Sequence, residues 1–201
     1  MNDWTVTLKQ LRYAGACKEG YNKVVRALQG QAFTDADEER KSYINFKHNE
    51  PISLLSILES NDLDDALWAI WCVTGHDRDL RLYAVACARR VQHLMTDQRS
   101  LDALNVAERF ANGQASAEEL DAAAAAAADA YADAECCLPC RVWAAAAAAD
   151  TCEARATVAA AAAAADADAT WRGERAHQQE LFVMMINGTA PWQIEKGGQH
   201  E

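Results

Sequence analysis

The chain has 201 residues, of which 51% are hydrophobic, and its formal net charge is −11. This length fits one large domain, or one domain with an appendage. The acidic balance argues against direct binding of nucleic-acid phosphates and against docking on anionic membranes, because both need a basic surface. An acidic protein with a basic partner, or one that mimics nucleic acid, remains open.

Cysteine usage and the start of the chain predict a cytoplasmic location. The seven cysteines are odd in number, and the opening Met-Asn-Asp-Trp has no signal-peptide pattern. Both features are typical of reduced thiols rather than a secreted disulfide framework. Asp residues interrupt the alanine runs, so we expect no membrane span.

Residues 1–50 predict a helical leader region. The stretch "LKQLRYAGACKEGYNKVVRAL" favours two short helices, broken near Gly15 and Gly20. Thr34 is a candidate cap for a short turn in the polar connection that follows.

Residues 51–76 open the predicted core. Pro51 is expected at the first position of a helix, since its missing N–H costs nothing there. Asn61 or Asp62 is expected to cap the next helix, which carries apolar residues at helical spacing, namely Leu63, Leu67, Ile70 and Trp71.

The stretch "DRDLRLYAVACARRVQHLM" predicts the clearest amphipathic helix, over residues 77–95. Its apolar stripe follows helical periodicity and consists of Leu80, Tyr83, Ala84, Cys87, Val91 and Leu94. Thr96 or Asp97 is expected to cap the following helix, and Gly113 to end it. "SAEE" at residues 116–119 is a capping box that starts another helix.

That helix leads into an alanine-rich tract, with 27 alanines among residues 121–170. Alanine has the highest helix propensity, and the tract lacks the composition of a disordered segment. Pro139 in "CCLPC" predicts a turn between two helices. The fold class is therefore predicted as all-α, a multi-helix bundle or layered helical-hairpin array with closely packed alanine-rich helices.

These features predict one folded domain with three parts. The leader covers residues 1–50, and a helical core covers residues 51–187, including alanine-rich helices at about 117–187. Leu181, Phe182, Met184, Met185 and Ile186 are expected to anchor its end and Gly188 to terminate it. Residues 188–201 are predicted to be a flexible tail.

"CCLPC" is the first candidate site, because Cys137 and Cys140 have the spacing of metal knuckles and redox loops. Cys152 lies on the following predicted helix, but no second pair completes a four-ligand set. We therefore predict no bound metal or cofactor. Small buried cysteines near a turn and a metal- or small-molecule-dependent activity both remain open.

Two charged surfaces are candidates for partner binding. Arg78, Arg81 and Arg89 share one face of the amphipathic helix, which favours either an anion site or a solvated face paired with nearby acids. The acidic residues of the alanine-rich tract favour either a solvated helix face or a surface that binds a basic partner. They are Asp129, Asp133, Asp166 and Asp168.

No catalytic residue is predicted, because the sequence holds no phosphate-binding loop, dinucleotide fingerprint or nucleophile elbow. Three tryptophans, Trp4, Trp171 and Trp192, are candidate partner anchors, with packing in the core or tail as the alternative.

The segment "LRLYAVACARRVQHLMTDQRSLDALNVAERFANGQASAEEL" is similar to one found in phage, prophage and bacterial proteins of unknown function, which often continue into alanine-rich helices. "LRYAGACKEG" and "EPISLLSILESNDLDDALWAIWCV" resemble the leader regions of the phage members. The whole resembles the putative immunity-protein-like family, which is all-helical.

This resemblance implies a mobile-element setting, in which the predicted cytoplasmic location is that of a bacterial host, and it carries no catalytic residues. In that setting the expected function is an accessory protein that binds a host or defence-system protein, for example as an anti-CRISPR inhibitor. The alternatives are an activity around "CCLPC" and a structural phage component that self-assembles into a homo-oligomer.

Overall fold

The computed structural model describes residues 4–95, 97–133 and 171–194. The protein is all-α as predicted, with one short pair of strands among the described residues. The chain divides into two compact units, Met1–Gly75 and His76–Glu201, which we call unit 1 and unit 2. This boundary follows Gly75, whereas the sequence suggested one after residue 50. One folded domain stays a prediction.

Unit 1 contains five helices and two short strands among its described residues. In chain order they are β1 (Thr5–Val6), α1 (Leu8–Tyr13), α2 (Lys18–Leu28), α3 (Asp35–Glu38), β2 (Ile52–Ser53), α4 (Leu54–Ser60) and α5 (Leu63–Ala69). A 3-10 turn, Ile70–Cys72, follows α5. Helix α2 packs against α1 and α4, and α4 packs against α5.

The break between α1 and α2 lies only at the first of the two predicted glycines. Gly15 has a φ of 85°, a left-handed conformation that glycine adopts without strain. Gly20 instead lies inside α2, which starts at Lys18 after the cap residue Cys17. The prediction of a break near Gly20 was wrong, and a close approach to another helix accounts for this glycine, as described below.

The expected helix start at Pro51 was also wrong, because a strand follows this proline. β2 pairs antiparallel with β1, with Thr5 opposite Ser53. Helix α4 begins only at Leu54, since the Ser53 hydroxyl accepts the backbone N–H of Ser56 at 3.0 Å and caps it. The same pairing brings in Trp4, whose carbonyl accepts the N–H of Leu54. Trp4 is 1% exposed, so it is a core residue and not a partner anchor.

An ion pair between the partly exposed Arg26 and the buried Asp37 fixes the segment after α2. Arg26 donates to both carboxylate oxygens of Asp37, at 3.0 Å from Nε and 2.6 Å from Nη2. Asp37 also accepts the backbone N–H and the hydroxyl of Thr34, the predicted cap residue. The guanidinium of Arg26, followed by these Thr34 bonds, lowers the pKa of Asp37 to about 2.

The described residues of unit 2 form five α-helices and no strand. They are α6 (Asp77–Val91), α7 (Gln98–Ala111), α8 (Ala117–Asp133), α9 (Trp171–Ile186) and α10 (Pro191–Ile194), with a 3-10 turn, Gln92–Leu94, after α6. Helix α7 packs against α6 and α8, and α6 also contacts α9 and α10. One core cluster is formed by Val85, Ala88, Met95, Leu104, Ala107 and Leu120.

Several local predictions for unit 2 are confirmed. Four residues of the predicted stripe on α6 are buried, Leu80, Tyr83, Ala84 and Cys87. Asp97 caps α7 through the N–H of Arg99 at 2.8 Å, and Gly113 follows the helix with a φ of 71°. The capping box at α8 is formed as predicted, with Ser116 and Glu119 each accepting the other's backbone N–H.

The end of the described chain differs from the predicted tail. Helix α9 ends before Gly188, as predicted, and most of its predicted anchor residues are buried. Beyond it, the indole N–H of Trp192 donates to Asp79 at 3.2 Å, and Arg78 donates to the carbonyl of Trp192 at 3.3 Å. Residues 191–194 therefore form a helix docked on α6 instead of a flexible tail.

Among the described helices, none is both long and apolar enough to cross a membrane.

Candidate acidic cleft in unit 1

Unit 1 has a cleft of about 240 Å³ between α1, α2, α4 and α5. Five of its lining residues are apolar and buried, and we call them its floor: Leu11, Ala16, Val24, Ile57 and Ala69. The rest of the lining consists of two aromatic residues, Tyr21 and Trp68, four polar residues, Cys17, Asn61, Asp64 and Asp65, and Gly20. Because sites for small molecules usually measure about 300–1,000 Å³, this volume suits one side chain better than a large cofactor.

The Asp65 carboxylate is held in a fixed position at this cleft. Asn61 donates from Nδ2 to Asp65 Oδ2 at 2.7 Å and to the carbonyl of Gly20 at 2.9 Å, so it links α5 to α2. The backbone N–H of Asp65 donates to the cap residue Asp62 at 2.9 Å. In the described part of the chain, the second carboxylate oxygen, Asp65 Oδ1, accepts no hydrogen bond. A half-buried carboxylate therefore has an acceptor available for a ligand.

Gly20 allows α2 to approach this carboxylate. A Cβ atom at residue 20 would lie 2.8 Å from Asp65 Oδ2 and 2.9 Å from Asp65 Oδ1. Side-chain Cβ atoms essentially never approach other atoms so closely. The position of Asp65 therefore depends on a residue without a side chain at position 20.

Trp68 places an aromatic ring one helical turn after the acidic pair. Asp64 and Asp65 precede it by four and three residues on α5, the spacing at which side chains share a helix face. The Trp68 ring is half-buried and stacks on Trp71, with centroids 6.1 Å apart. Trp71 is 42% exposed. The cleft thus combines carboxylates and an indole within one turn of helix.

The charged side chains among the lining residues of the cleft are both carboxylates, Asp64 and Asp65. No lysine or arginine is among the described residues that line it. The nearby Lys23 forms an ion pair with Glu19 at 2.7 Å, and its pKa is raised by that hydrogen bond and by the charges of Glu19, Asp65 and Asp62. Burial partly opposes this rise. An ammonium or guanidinium group that enters the cleft would meet the same negative field.

Cys17 stands at the N-terminus of α2 beside the cleft. Its sulfur accepts the backbone N–H of Gly20 at 3.2 Å and so acts as the cap of the helix. The thiol is exposed and is not in a disulfide. Its role here is to satisfy a free backbone donor at the helix start.

Two other depressions of about 340 Å³ lack this combination of groups. One lies along α9 at Ala176, Gln179, Glu180, Val183 and Met184, and the other lies between α2, β2 and α4. Neither includes an aromatic ring, and each has a single carboxylate.

The three predicted arginines lie on α6, but two of them are already engaged. Arg89 pairs with Glu108 at 2.5 Å and also binds Asn105. Arg78 donates to Asn112 at 2.9 Å and lies 3.5 Å from Asp79.

Arg81 has a different environment. Its guanidinium lies over the ring of Phe110, 4.9 Å from the centroid. Burial lowers its pKa, an effect that the charge of Asp77 partly opposes. The predicted strip is thus a mostly paired helix face, with Arg81 stacked on α7.

Of the predicted acidic surface, Asp129 lies on α8 and is exposed. Asp133 is the last residue of α8. Asp166 and Asp168 lie outside the described residues, as do the three candidate cysteines, Cys137, Cys140 and Cys152. Among the residues that the structure does describe, no group of three or more His, Cys, Asp or Glu could hold a metal ion.

Sequence reasoning did not identify the cleft. Its lining residues lie in two separate segments of the chain, residues 11–24 and 57–69. The capping pattern around Asp62 predicts a helix start but no site. The available signal was the pair Asp64 and Asp65 one turn before Trp68, together with an interior glycine in α2.

No protein-family model matches the chain, and neither a curated protein nor a solved structure matches it.

Proposed function

We propose that the protein acts by binding a protein partner, and that the acidic cleft of unit 1 receives a cationic side chain of that partner. The observation that carries this proposal is the cleft itself, with two carboxylates and an indole ring around an apolar floor and no lysine or arginine among its described lining residues. Such a site desolvates and fixes a charged side chain at the centre of an interface, where anchoring residues contribute most binding energy.

Binding suits this geometry better than catalysis. The Asp65 carboxylate is held by Asn61 and is placed to accept hydrogen bonds. The apolar floor would contact the aliphatic stem of a long cationic side chain, as such stems commonly cover apolar surface. The net charge of −11 adds attraction for a basic partner at long range.

The resemblance to phage proteins directs this proposal to a particular setting. Host defence proteins that act on nucleic acids bind them through basic patches. A mobile-element protein that occupies such a patch would therefore block binding of the nucleic acid. We propose inhibition of a bacterial defence system, by occupation of such a patch, as the biological form of the binding activity.

The test compares capture of proteins from a bacterial lysate by the wild-type chain and by three variants. Asp65→Asn removes the fixed charge and keeps an acceptor for Asn61, whereas Trp68→Leu removes the ring. Asp129→Asn is the matched control, because it removes the same charge from an exposed position on α8 in unit 2.

The proposal predicts a protein, identified by mass spectrometry, that the wild type and Asp129→Asn retain and the two cleft variants lose. Its purified form should bind more weakly as salt rises, because salt screens charge attraction. If all four proteins capture the partner equally, and circular dichroism shows that each is folded, the cleft does not bind the partner.

A further inference from the structure

We infer that the cleft selects arginine over lysine, so that the partner's anchoring residue is an arginine. This inference rests on the proposed function and specifies its chemistry. The observation behind it is the position of one planar ring and two adjacent carboxylates within a single turn of α5.

A guanidinium uses both parts of this arrangement at once. It is planar, so it can stack on an indole face while its N–H donors, which lie in the same plane, point sideways to a carboxylate. Trp68 offers the ring, and Asp65 Oδ1 is the acceptor that has no hydrogen-bond donor in the described part of the chain. An ammonium can satisfy the carboxylate, but it has no plane with which to stack.

The rigidity of the acceptor strengthens this selectivity. Asn61 holds Asp65 Oδ2, and Gly20 lets the backbone of α2 lie against the carboxylate. A fixed carboxylate favours the ligand whose donors have a fixed geometry. A lysine ammonium, which is more strongly hydrated, loses more of its hydration on entering a cleft with an apolar floor.

The size of the cleft agrees with one such side chain. Its volume of about 240 Å³ holds a guanidinium and part of its methylene stem. Leu11, Val24 and Ile57 are among the apolar residues that line it and can contact that stem. The single occupant that we assign is therefore an arginine side chain of a protein partner.

The test uses three capped amino acids as probes, N-acetyl-arginine amide, N-acetyl-lysine amide and the neutral N-acetyl-citrulline amide. Binding is followed through the indole N–H signal of Trp68 in nitrogen-15 NMR spectra of the full chain. We expect the arginine probe to bind with a dissociation constant on the order of a millimolar, because one side chain makes few contacts. Its affinity should exceed that of lysine by about tenfold or more, and citrulline should not bind.

The cleft variants separate the two parts of the recognition. Asp65→Asn should weaken the arginine and lysine probes alike by about tenfold, because both use the charge. Trp68→Leu, followed through the backbone amide of Asp65, should reduce arginine to the affinity of lysine, because only arginine stacks. Asp129→Asn should leave every affinity unchanged.

Equal affinities for arginine and lysine in the wild-type chain would overturn the inference, as would binding of citrulline or binding that Asp65→Asn does not alter. If no probe binds, while capture of a partner still depends on Asp65, the arginine assignment fails and the proposed function stands. If the arginine probe binds as expected and no partner depends on the cleft, the proposed function fails by itself.

Discussion

The Asp65 carboxylate lies against Gly20, so close that a Cβ atom at residue 20 would be 2.8 Å from Oδ2 and 2.9 Å from Oδ1. A larger residue at position 20 would therefore require the Asp65 carboxylate to move from its bond with Asn61. The carboxylate lines the cleft, and Asn61, which donates to it, also donates to the carbonyl of Gly20 at 2.9 Å. The position of this carboxylate in the cleft thus depends on glycine at residue 20.

Substitution of Gly20 by alanine should destabilise unit 1. Alanine inside a helix normally adds about 0.5–1 kcal/mol of stability relative to glycine, but the clash with Asp65 should cost about 1–3 kcal/mol. We expect a net decrease of roughly 1–2 kcal/mol in the free energy of unfolding, measured by urea denaturation, together with weaker binding of the arginine probe. Gly173→Ala on α9 is the control, since its Cβ meets nothing within 4 Å, and it should be neutral or stabilising. Equal stabilisation by both substitutions would contradict the close approach.

The Arg26–Asp37 pair should make unfolding depend on pH. The folded-state pKa of Asp37 is about 2, below the ordinary aspartate pKa of 3.8, so its contribution to stability is present above about pH 4 and is lost as the pH falls toward 2. Asp37→Asn should lower the free energy of unfolding at neutral pH and flatten its decline over that acid range. Urea denaturation at a series of pH values measures both effects. An unchanged acid slope in the variant would show that other carboxylates are responsible.

In unit 2, the hydroxyl of Tyr83 should stabilise the packing of α6 against α9. It donates to the carbonyl of Gln178 at 3.1 Å, and the Tyr83 ring contacts Phe182 edge-to-face. Tyr83→Phe should reduce the free energy of unfolding by about 0.5–1.5 kcal/mol, because a buried hydrogen bond is lost while the ring remains. Tyr13→Phe, at a side chain that is 94% exposed, should change the stability by less than about 0.5 kcal/mol. Similar losses in both variants would argue against the interhelical bond.

The docking of α10 on α6 should depend on the indole N–H of Trp192. Trp192→Phe keeps a ring but removes the donor to Asp79. Loss of a bond worth about 1 kcal/mol should speed amide exchange at residues 193 and 194 by roughly fivefold. Ile194→Ala, at a side chain that is 64% exposed on the same helix, should leave the exchange at residue 193 nearly unchanged. Fast exchange at residue 193 in the wild-type chain would instead support the flexible tail expected from the sequence.

Local capping chemistry was predictable from the sequence, because it depends on residues only a few positions apart. Asp62, Asp97 and Gly113 have the predicted roles, and the box at residues 116–119 is formed. The stripe of α6 was also predictable, since periodicity records which face of a helix is buried.

Features that join distant parts of the chain were not predictable. The pairing of Thr5 with Ser53 converted an expected helix start into a strand and buried Trp4. The sequence predicts that Trp192 belongs to a tail, because its partner, Asp79, lies more than a hundred residues earlier. The cleft was not predictable for the same reason, because no sequence pattern indicates that Gly20 and Asp65 lie side by side in the fold.

The central claim is that a cationic side chain binds in the cleft of unit 1, and intermolecular NMR contacts test it most directly. With the arginine probe bound, the account predicts nuclear Overhauser effects between the Trp68 indole protons and the probe's Cδ methylene. Shift changes should be concentrated at Asn61, Asp65 and Trp68. Shifts spread evenly over exposed acidic residues such as Asp129, with no contact to the Trp68 ring, would contradict the account.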